Sequence, residues 1–204
     1  TSTSGSVGTI AKLDGTAPRT LFTSLISSLV VHPAGTTYFA HTKASGQIDG
    51  YAFQIAGGSF SRLLGPLRGL SVLPSPSGKS LLYSYMDGGV PRLAVIDTAA
   101  RTATALPLTT LTEKCVWATE VTVYCGVPTS VSGVALPDDW YQGAVSFSDR
   151  LWRIDMTGRV ATLVVDPNQV ANVSIDAVAL ATDAQEDVLV FTDRKTGSLW
   201  VYDL

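Results

Sequence analysis

The sequence has little charge and no long apolar run. Only 15% of its 204 residues are charged, and the formal net charge is -3. Binding to nucleic acid or to an anionic membrane surface needs a basic bias that this chain lacks, so we expect no polyanionic partner. A transmembrane helix needs about 20 consecutive apolar residues, and Gly, Pro or charged residues interrupt every stretch before that length. We therefore expect no membrane span in this segment.

The apolar content, by contrast, is high enough for a sizeable core. Apolar residues make up 46% of the chain, and 204 residues are enough for one large core or two small ones. The chain starts with TSTSGS rather than with Met. We interpret residues 1–7 as a linker, a start that is compatible with removal of an N-terminal signal or anchor.

An internal repeat is the most informative feature of the chain. Short apolar runs that end in an acidic residue recur as TIAKLD, LAVID, LWRID and LWVYD, with YAFQIAGG as a member that lacks the acid. Successive equivalent positions are 42, 41, 58 and 48 residues apart, taking as equivalent Leu13, Ile55, Ile96, Ile154 and Tyr202. A period of roughly 40 to 50 residues is typical of a four-stranded propeller blade. The sequence thus predicts an all-β fold, a β-propeller of four-stranded antiparallel blades.

The blade count predicts a partial ring. We place a half blade at residues 8–28, full blades at 29–69, 70–110 and 111–172, and a three-stranded last blade at 173–204, which makes 17 strands. An open array leaves strand edges and sheet faces uncovered, which native proteins normally close or cover. We therefore expect missing blades to come from upstream sequence or from self-association, with closure by residues 8–24 as the alternative.

Two stretches of the repeat resemble a known family. The segments KCVWATEVTVYCGVP and LPDDWYQGAVSFSDRLWRID, together with turns such as SPSGKSLLYSY, are similar to bacterial WD-repeat and TolB-like propellers. The narrower resemblance is to uncharacterised cell-envelope propellers of candidate-phylum bacteria. It implies the propeller fold and an envelope location, but no catalytic residues and no cofactor. No WD dipeptide is present, so the resemblance does not extend to that eukaryotic signature.

Cys115 and Cys125 are the only two cysteines. If a hairpin reverses near Glu120, the two become cross-strand neighbours, with Cα atoms about 4.5 to 5.5 Å apart, which a disulfide accepts. A zinc pair is normally spaced by two to four residues, so the spacing of ten argues against a metal, and we predict no metal site. Two buried free thiols are the remaining alternative. A disulfide would indicate an oxidising, extracytoplasmic compartment.

The longest repeat contains an insertion at residues 127–143, VPTSVSGVALPDDWYQG. In a propeller this loop would lie on the face that carries the connections between blades, and loops carry function more often than cores do. Aromatic residues beside acids are typical interface anchors. The candidate partner-binding residues are therefore Asp138, Asp139, Trp140 and Tyr141. The alternative is that Trp140 folds back and covers the core of its own blade.

The other polar residues give weaker signals. His32 and His41 flank one turn and are interpreted as strand residues rather than ligands. No GxSxG motif supports a nucleophilic serine. The acids that recur at one position of the repeat are expected to cap turns through local hydrogen bonds, namely Asp14, Asp97, Asp155 and Asp203.

Two hypotheses for function follow. The favoured one is a noncatalytic extracytoplasmic propeller that binds a protein or peptide through the insertion face. It rests on the absence of a clustered acid, base or nucleophile signal in the sequence. The alternative is a carbohydrate-binding or hydrolytic propeller whose site forms only in the complete ring.

Overall fold

The computed structural model, described for residues 5–131 and 133–204, is built almost wholly of antiparallel strands. Its strands are β1 Ser6–Ile10, β2 Arg19–Ser24, β3 Leu29–Ala34, β4 Thr37–Thr42, β5 Asp49–Ala56, β6 Ser59–Arg68, β7 Ser71–Pro74, β8 Ser80–Asp87, β9 Val90–Asp97, β10 Ala103–Ala105, β11 Cys115–Trp117, β12 Thr122–Pro128, β13 Asp149–Asp155, β14 Val160–Val165, β15 Ala177–Thr182, β16 Val188–Asp193 and β17 Leu199–Asp203. The helices are a 3₁₀ turn at Thr112–Lys114, α1 at Asp138–Tyr141 and α2 at Pro167–Ala171.

Within the described residues, the strands form five sheets in chain order. They are the hairpin β1–β2, the four-stranded sheets β3–β6, β7–β10 and β11–β14, and the three-stranded sheet β15–β17. Each strand pairs only with its neighbours along the chain, and every pairing is antiparallel. This arrangement confirms the predicted β-propeller.

The core lies between successive sheets. Leu81 and Leu82 are adjacent on β8 and both fully buried, because alternate side chains of a strand point to opposite faces. Leu81 packs with Phe39 of the preceding sheet, while Leu82 packs with Val123 of the following one. Each central sheet is thus buried on both faces, which explains why its middle strands are more continuously apolar than a half-exposed strand would be.

The first hairpin differs from the sequence-based expectation. Its strand β1 begins at Ser6, so Ser6 and Val7 belong to the sheet rather than to the linker. Leu13, predicted to be equivalent to Ile55 of β5, lies in the turn after β1 and its side chain is fully exposed. That part of the prediction was wrong because the strand, which has a register shift after Gly8, ends at Ile10. Residues 1–4 lie outside the described residues.

All four recurrent acids are predicted to cap turns, and three of them do so; the fourth, Asp203, is the last residue of β17. The Oδ1 atom of Asp97 accepts hydrogen bonds from the backbone N–H groups of Ala99 and Ala100 at 2.9 and 2.7 Å. Asp155 accepts one from the N–H of Thr157 at 2.9 Å, and Asp14 makes the same kind of contact. These acids therefore shape the link from the third to the fourth strand and belong to the scaffold.

The hairpin β11–β12 carries the predicted disulfide. Cys115 lies directly opposite Cys125, and their Cα atoms are 4.1 Å apart. Both side chains are buried in the core between the sheets β7–β10 and β11–β14. The cross-strand prediction is confirmed, and neither cysteine is a free thiol.

Removing this cross-link should lower stability measurably. We expect the double variant Cys115→Ala/Cys125→Ala to lose about 2 to 3 kcal/mol of unfolding free energy, because the bridge closes a short loop in the unfolded chain. Urea denaturation of the oxidised protein and of the variant measures the difference. Equal unfolding midpoints with equal slopes would show that the hairpin persists when the chain unfolds.

The sheets at the two ends of the array each leave one face open. Leu199 and Val201 on β17 are 69% and 61% exposed, and Val7 on β1 is 65% exposed. Among the described residues, no element of the first hairpin is in extensive contact with an element of the last sheet. No helix in these residues is long and apolar enough to cross a membrane.

Candidate functional site

The insertion is a folded structure that crosses the face of the array. Val127 and Pro128 complete β12, so the loop proper occupies residues 129–148, of which residue 132 lies outside the described part. The Asp138 carboxylate accepts a hydrogen bond from the backbone N–H of Gly46 at 2.7 Å. Gly46 lies between β4 and β5, so the contact joins the third full sheet to the first.

Close approach at this contact requires a residue without a side chain. A Cβ atom at Gly46 would lie 2.3 Å from the carbonyl oxygen of Leu136, which is well inside van der Waals contact. Asp139 holds the insertion from within, since its Oδ2 accepts the N–H of Ala135 at 2.8 Å. The two acids predicted from sequence thus fix the conformation of the insertion, and both remain partly exposed.

Trp140 is buried beneath the insertion, with 4% of its surface exposed. Its ring packs with Leu111, Leu136 and Phe147. The indole N–H donates a hydrogen bond to Oδ2 of Asp176 at 3.0 Å. Its position agrees with the alternative in which this residue folds back over the core, and a direct contact with a partner would need the insertion to open.

A buried cation lies directly under Trp140. Lys114, at the end of the 3₁₀ turn, has no exposed side-chain surface, and its Nζ atom lies 2.7 Å from Oδ2 of Asp149 and 2.5 Å from Oδ1 of Asp176. The rings of Trp140 and Phe147 cover this ammonium group, with centroids 5.1 and 5.4 Å away. A buried charge is tolerated only when it is paired and hydrogen-bonded, and here two carboxylates supply the pairing.

Asp149 has an unusual electrostatic environment. Burial raises the pKa of its carboxyl group to about 6, and the neighbouring Asp176 carboxylate adds to that effect. Lys114 and the N–H of Ala177, which donates to Oδ2 at 2.7 Å, act in the opposite direction. Its other oxygen, Oδ1, is buried and has no hydrogen-bond partner among the described residues.

Tyr141 connects the insertion to a second polar group. Its hydroxyl donates a hydrogen bond to Oε1 of Glu113, and Ser71 donates to Oε2 of the same carboxylate at 3.0 Å. Burial is the main reason that the pKa of Tyr141 is raised, and the Glu113 carboxylate adds to it. Tyr141 therefore stays protonated and remains a hydrogen-bond donor.

A cavity of about 320 Å³ opens beside this contact. Tyr141 and Glu113 form one wall, and apolar residues of β3 and β7, among them Val30 and Val72, form much of the rest. Lys43 lines it as well, and among the described residues Lys43 forms no ion pair. The insertion thus bounds a concave, largely apolar site with a few polar groups, the usual form of a binding pocket.

The two histidines lie together in this cavity. The rings of His32 and His41 stack with centroids 5.4 Å apart. Burial lowers the pKa of both, that of His32 to about 4, so both are neutral at pH 7. His41 donates from Nδ1 to the carbonyl oxygen of Thr42 at 2.9 Å, and both residues lie on strands. Across residues 5–131 and 133–204, no group of three or more His, Cys, Asp or Glu side chains could hold a metal ion.

The sequence identified the insertion and its acids Asp138 and Asp139, but not the charged residues that lie beneath and beside it. Lys114, Asp149 and Asp176 were missed, as was Glu113. Each lies at or within two residues of the start of an apolar strand, where a charged residue normally marks only the strand end. Their meeting point depends on how three sheets are placed around the axis, and no local pattern carries that information.

Comparison with known proteins supports the fold but assigns no family. No family model matches the chain, and no curated protein matches it in sequence. Solved structures do match. TolB from Acinetobacter baumannii superposes with a TM-score of 0.58 and 14% identity over 97% of this chain and 48% of that one. The chain thus spans about half the length of that TolB.

Two further structures show the same likeness. A putative TolB from Agrobacterium tumefaciens gives a TM-score of 0.57 with 15% identity, over 92% of this chain and 70% of that one. The propeller domain of the Trilobed protease from Pyrococcus furiosus is described as having an open velcro topology. It gives a TM-score of 0.57 with 12% identity, over 98% of this chain and 61% of that one. At these identities the likeness concerns the fold alone: the chain is a β-propeller array similar in architecture to TolB.

Proposed function

We propose that this chain is part of a noncatalytic, extracytoplasmic β-propeller that binds a protein or peptide through the face carrying the insertion. The observation that carries this proposal is the cavity bounded by Tyr141 and Glu113. The insertion that frames it is held in place across the face by its contact with Gly46. A preformed concave site on rigid elements costs less conformational entropy on binding than a mobile loop does.

The chemistry of the cavity suits a side chain of a partner. Its apolar wall can bury an aliphatic or aromatic group, while Lys43 and Glu113 offer one charge of each sign beside it. Asp138, Asp139 and Tyr141 are partly exposed around the insertion and are the proposed contact residues. Trp140 supports them from below. This is the usual layout of an interface, with an apolar centre and a polar rim.

The extracytoplasmic location rests on the disulfide. Cys115 and Cys125 are the only cysteines and they form a bridge, and disulfides persist mainly in oxidising compartments. The same proposal includes an envelope location, an anchor lost from the N-terminus and kinship with candidate-phylum propellers. Thiol labelling of protein taken directly from its native host tests it, because free thiols there would remove the argument for location.

The exposed sheet faces belong to this proposal as well. Val7 at one end, and Leu199 and Val201 at the other, leave apolar surface uncovered. In a propeller such faces pack against the next blade. We propose that further blades of the same protein or a second copy of the chain cover them.

A pair of neighbouring substitutions tests the binding face. Val30 lines the cavity and is 40% exposed, whereas Val31 is 37% exposed and points to the opposite face of β3. We expect Val30→Trp to fill the cavity and to weaken, by about tenfold or more, the binding of peptides selected from a displayed random library, which corresponds to at least about 1.4 kcal/mol. Val31→Trp should leave binding unchanged. Titration calorimetry with the selected peptides measures both.

The result separates the two functional hypotheses. Equal binding by the two variants would place the peptide site elsewhere and overturn the proposed face. Failure to select any peptide, together with binding of the same protein to a glycan array, would favour the carbohydrate-binding alternative. Circular dichroism melting of both variants shows that the fold is retained.

A further inference from the structure

The charges under the insertion do not balance when both acids are ionised. Lys114 contributes one positive charge, and Asp149 and Asp176 contribute two negative charges. All three residues are 2% exposed or less. A net negative charge among side chains that are this deeply buried is unfavourable. Uptake of one proton by a carboxylate would leave the site neutral.

The hydrogen bonds identify which of the two carboxylates takes that proton. Asp176 accepts from Lys114 through Oδ1, and its Oδ2 accepts from the indole of Trp140 and from the N–H of Phe147, at 3.0 and 3.2 Å. A proton on Asp176 would have to displace one of these donors. Asp149 uses only Oδ2, while its buried Oδ1 has no partner among the described residues. The proton therefore fits on Oδ1 of Asp149.

Two residues of the insertion cover this cluster. Trp140 and Phe147 both belong to the insertion, both donate to Asp176 and both cover the ammonium group of Lys114. When the insertion lifts, water reaches the cluster and the desolvation of Asp149 ends. The closed state thus binds a proton on Asp149 more tightly than the open state does, and proton uptake must favour closure by linkage.

We propose that the Lys114–Asp149–Asp176 cluster is a proton-linked latch, which holds the insertion against the array more firmly at pH 5 than at pH 7. The sign is opposite to that of most carboxylates in proteins, whose ion pairs are lost in acid. Its effect on partner binding rests on the proposed function, because the insertion frames the proposed site. The latch itself can be measured without any partner.

Other ionisable groups near the cluster act differently. Burial raises the pKa of Asp193, but hydrogen bonds from the N–H of Asp176, from Thr196 and from the N–H of Lys195 outweigh burial. They hold the pKa below its usual range, so Asp193 stays ionised between pH 5 and 7. The guanidinium group of Arg194 also lies over the ring of Trp140, with its Cζ atom 4.8 Å from the centroid. His32 and His41 line the cavity beyond Tyr141, and burial lowers the pKa of both. A variant at Asp149 separates the pH dependence that Asp149 causes from that of the other ionisable groups.

Hydrogen exchange of the whole chain provides the test. The amide of Phe147 is protected only while the insertion is closed onto Asp176, so its exchange, corrected for the intrinsic rate, reports the opening equilibrium. With the pKa of Asp149 at about 6 when closed and near its ordinary value when open, the opening constant should fall about tenfold from pH 7 to pH 5. The Asp149→Asn variant, which mimics the protonated acid, should lack this tenfold fall in the opening constant.

Each outcome decides the proposal. An opening constant that is equal or larger at pH 5, or a pH dependence that is the same in Asp149→Asn, would overturn it. Should that variant fail to fold, carboxyl carbon NMR of the unmodified protein gives the answer, since the latch requires Asp149 to titrate near pH 6 and a midpoint below 5 contradicts it. A protein that shows the latch but binds no peptide would refute the proposed function alone.

Discussion

Replacing Lys114 with methionine is expected to lower the free energy of unfolding by about 3 to 5 kcal/mol at pH 7, because it leaves two buried carboxylates without their cation. Methionine retains much of the apolar stem, so the change removes the charge more than the packing. The side chain has no exposed surface and lies 2.7 and 2.5 Å from the two acids. Urea denaturation at pH 7 measures the loss.

The pH dependence of this loss provides a second test. Pairing with Lys114 lowers the pKa of Asp149, so without Lys114 the folded state gains a proton on Asp149 at a higher pH than the unmodified protein does, while the unfolded states titrate alike. The difference in unfolding free energy between the variant and the unmodified protein should therefore shrink as the pH falls from 7 to 5. Lys43→Met is the matched control, since Lys43 is exposed and forms no ion pair among the described residues, and a change within about 0.5 kcal/mol is expected. A deficit below 1 kcal/mol at pH 7 would contradict the account of the cluster.

The repeat made the fold predictable because each blade is a local structure. Strands that follow one another in the chain pair with one another, so hairpin signals such as the Pro33 and Gly35 turn already specify the pairing. Cys115 and Cys125 were placed opposite each other by the same reasoning, since a hairpin centred near Glu120 leaves one register. The first strand was misjudged at Leu13, where the repeat is weakest.

The candidate site was predictable only in outline. The extra length of the third full repeat located the insertion, and its helix contains the four residues singled out. The direction of the Trp140 side chain depends on Asp176, which is 36 positions away, just before the first strand of the last sheet. Asp176, one of the two carboxylate partners of Lys114, is likewise 62 positions away from it. Contacts at such separations depend on the angle between blades, and nothing in the local sequence encodes that angle.

The buried cluster and the exposed cavity have different roles on this face of the array. Lys114, Asp149 and Asp176 lie beneath the insertion and fix its position. Tyr141 and Glu113 instead form one wall of the cavity. A substitution below the insertion should therefore alter binding through the position of the loop, and one above it through direct contact. This distinction matters for Trp140, which was singled out as a contact residue yet lies below.

Trp140→Ala is expected to destabilise the chain by about 3 to 5 kcal/mol, because it leaves a large cavity between Phe147 and Lys114. It also leaves Asp176 without the hydrogen bond from the indole N–H. Since the neighbouring Tyr141 would no longer be held in place, peptide binding should weaken as well. Trp140→Phe keeps a ring over Lys114 and loses only the hydrogen bond, so a smaller cost of about 1 to 3 kcal/mol is expected, with binding largely retained. Denaturation and peptide titration on both variants measure this. A Trp140→Ala protein with unchanged stability and abolished binding would show that the indole contacts the partner itself.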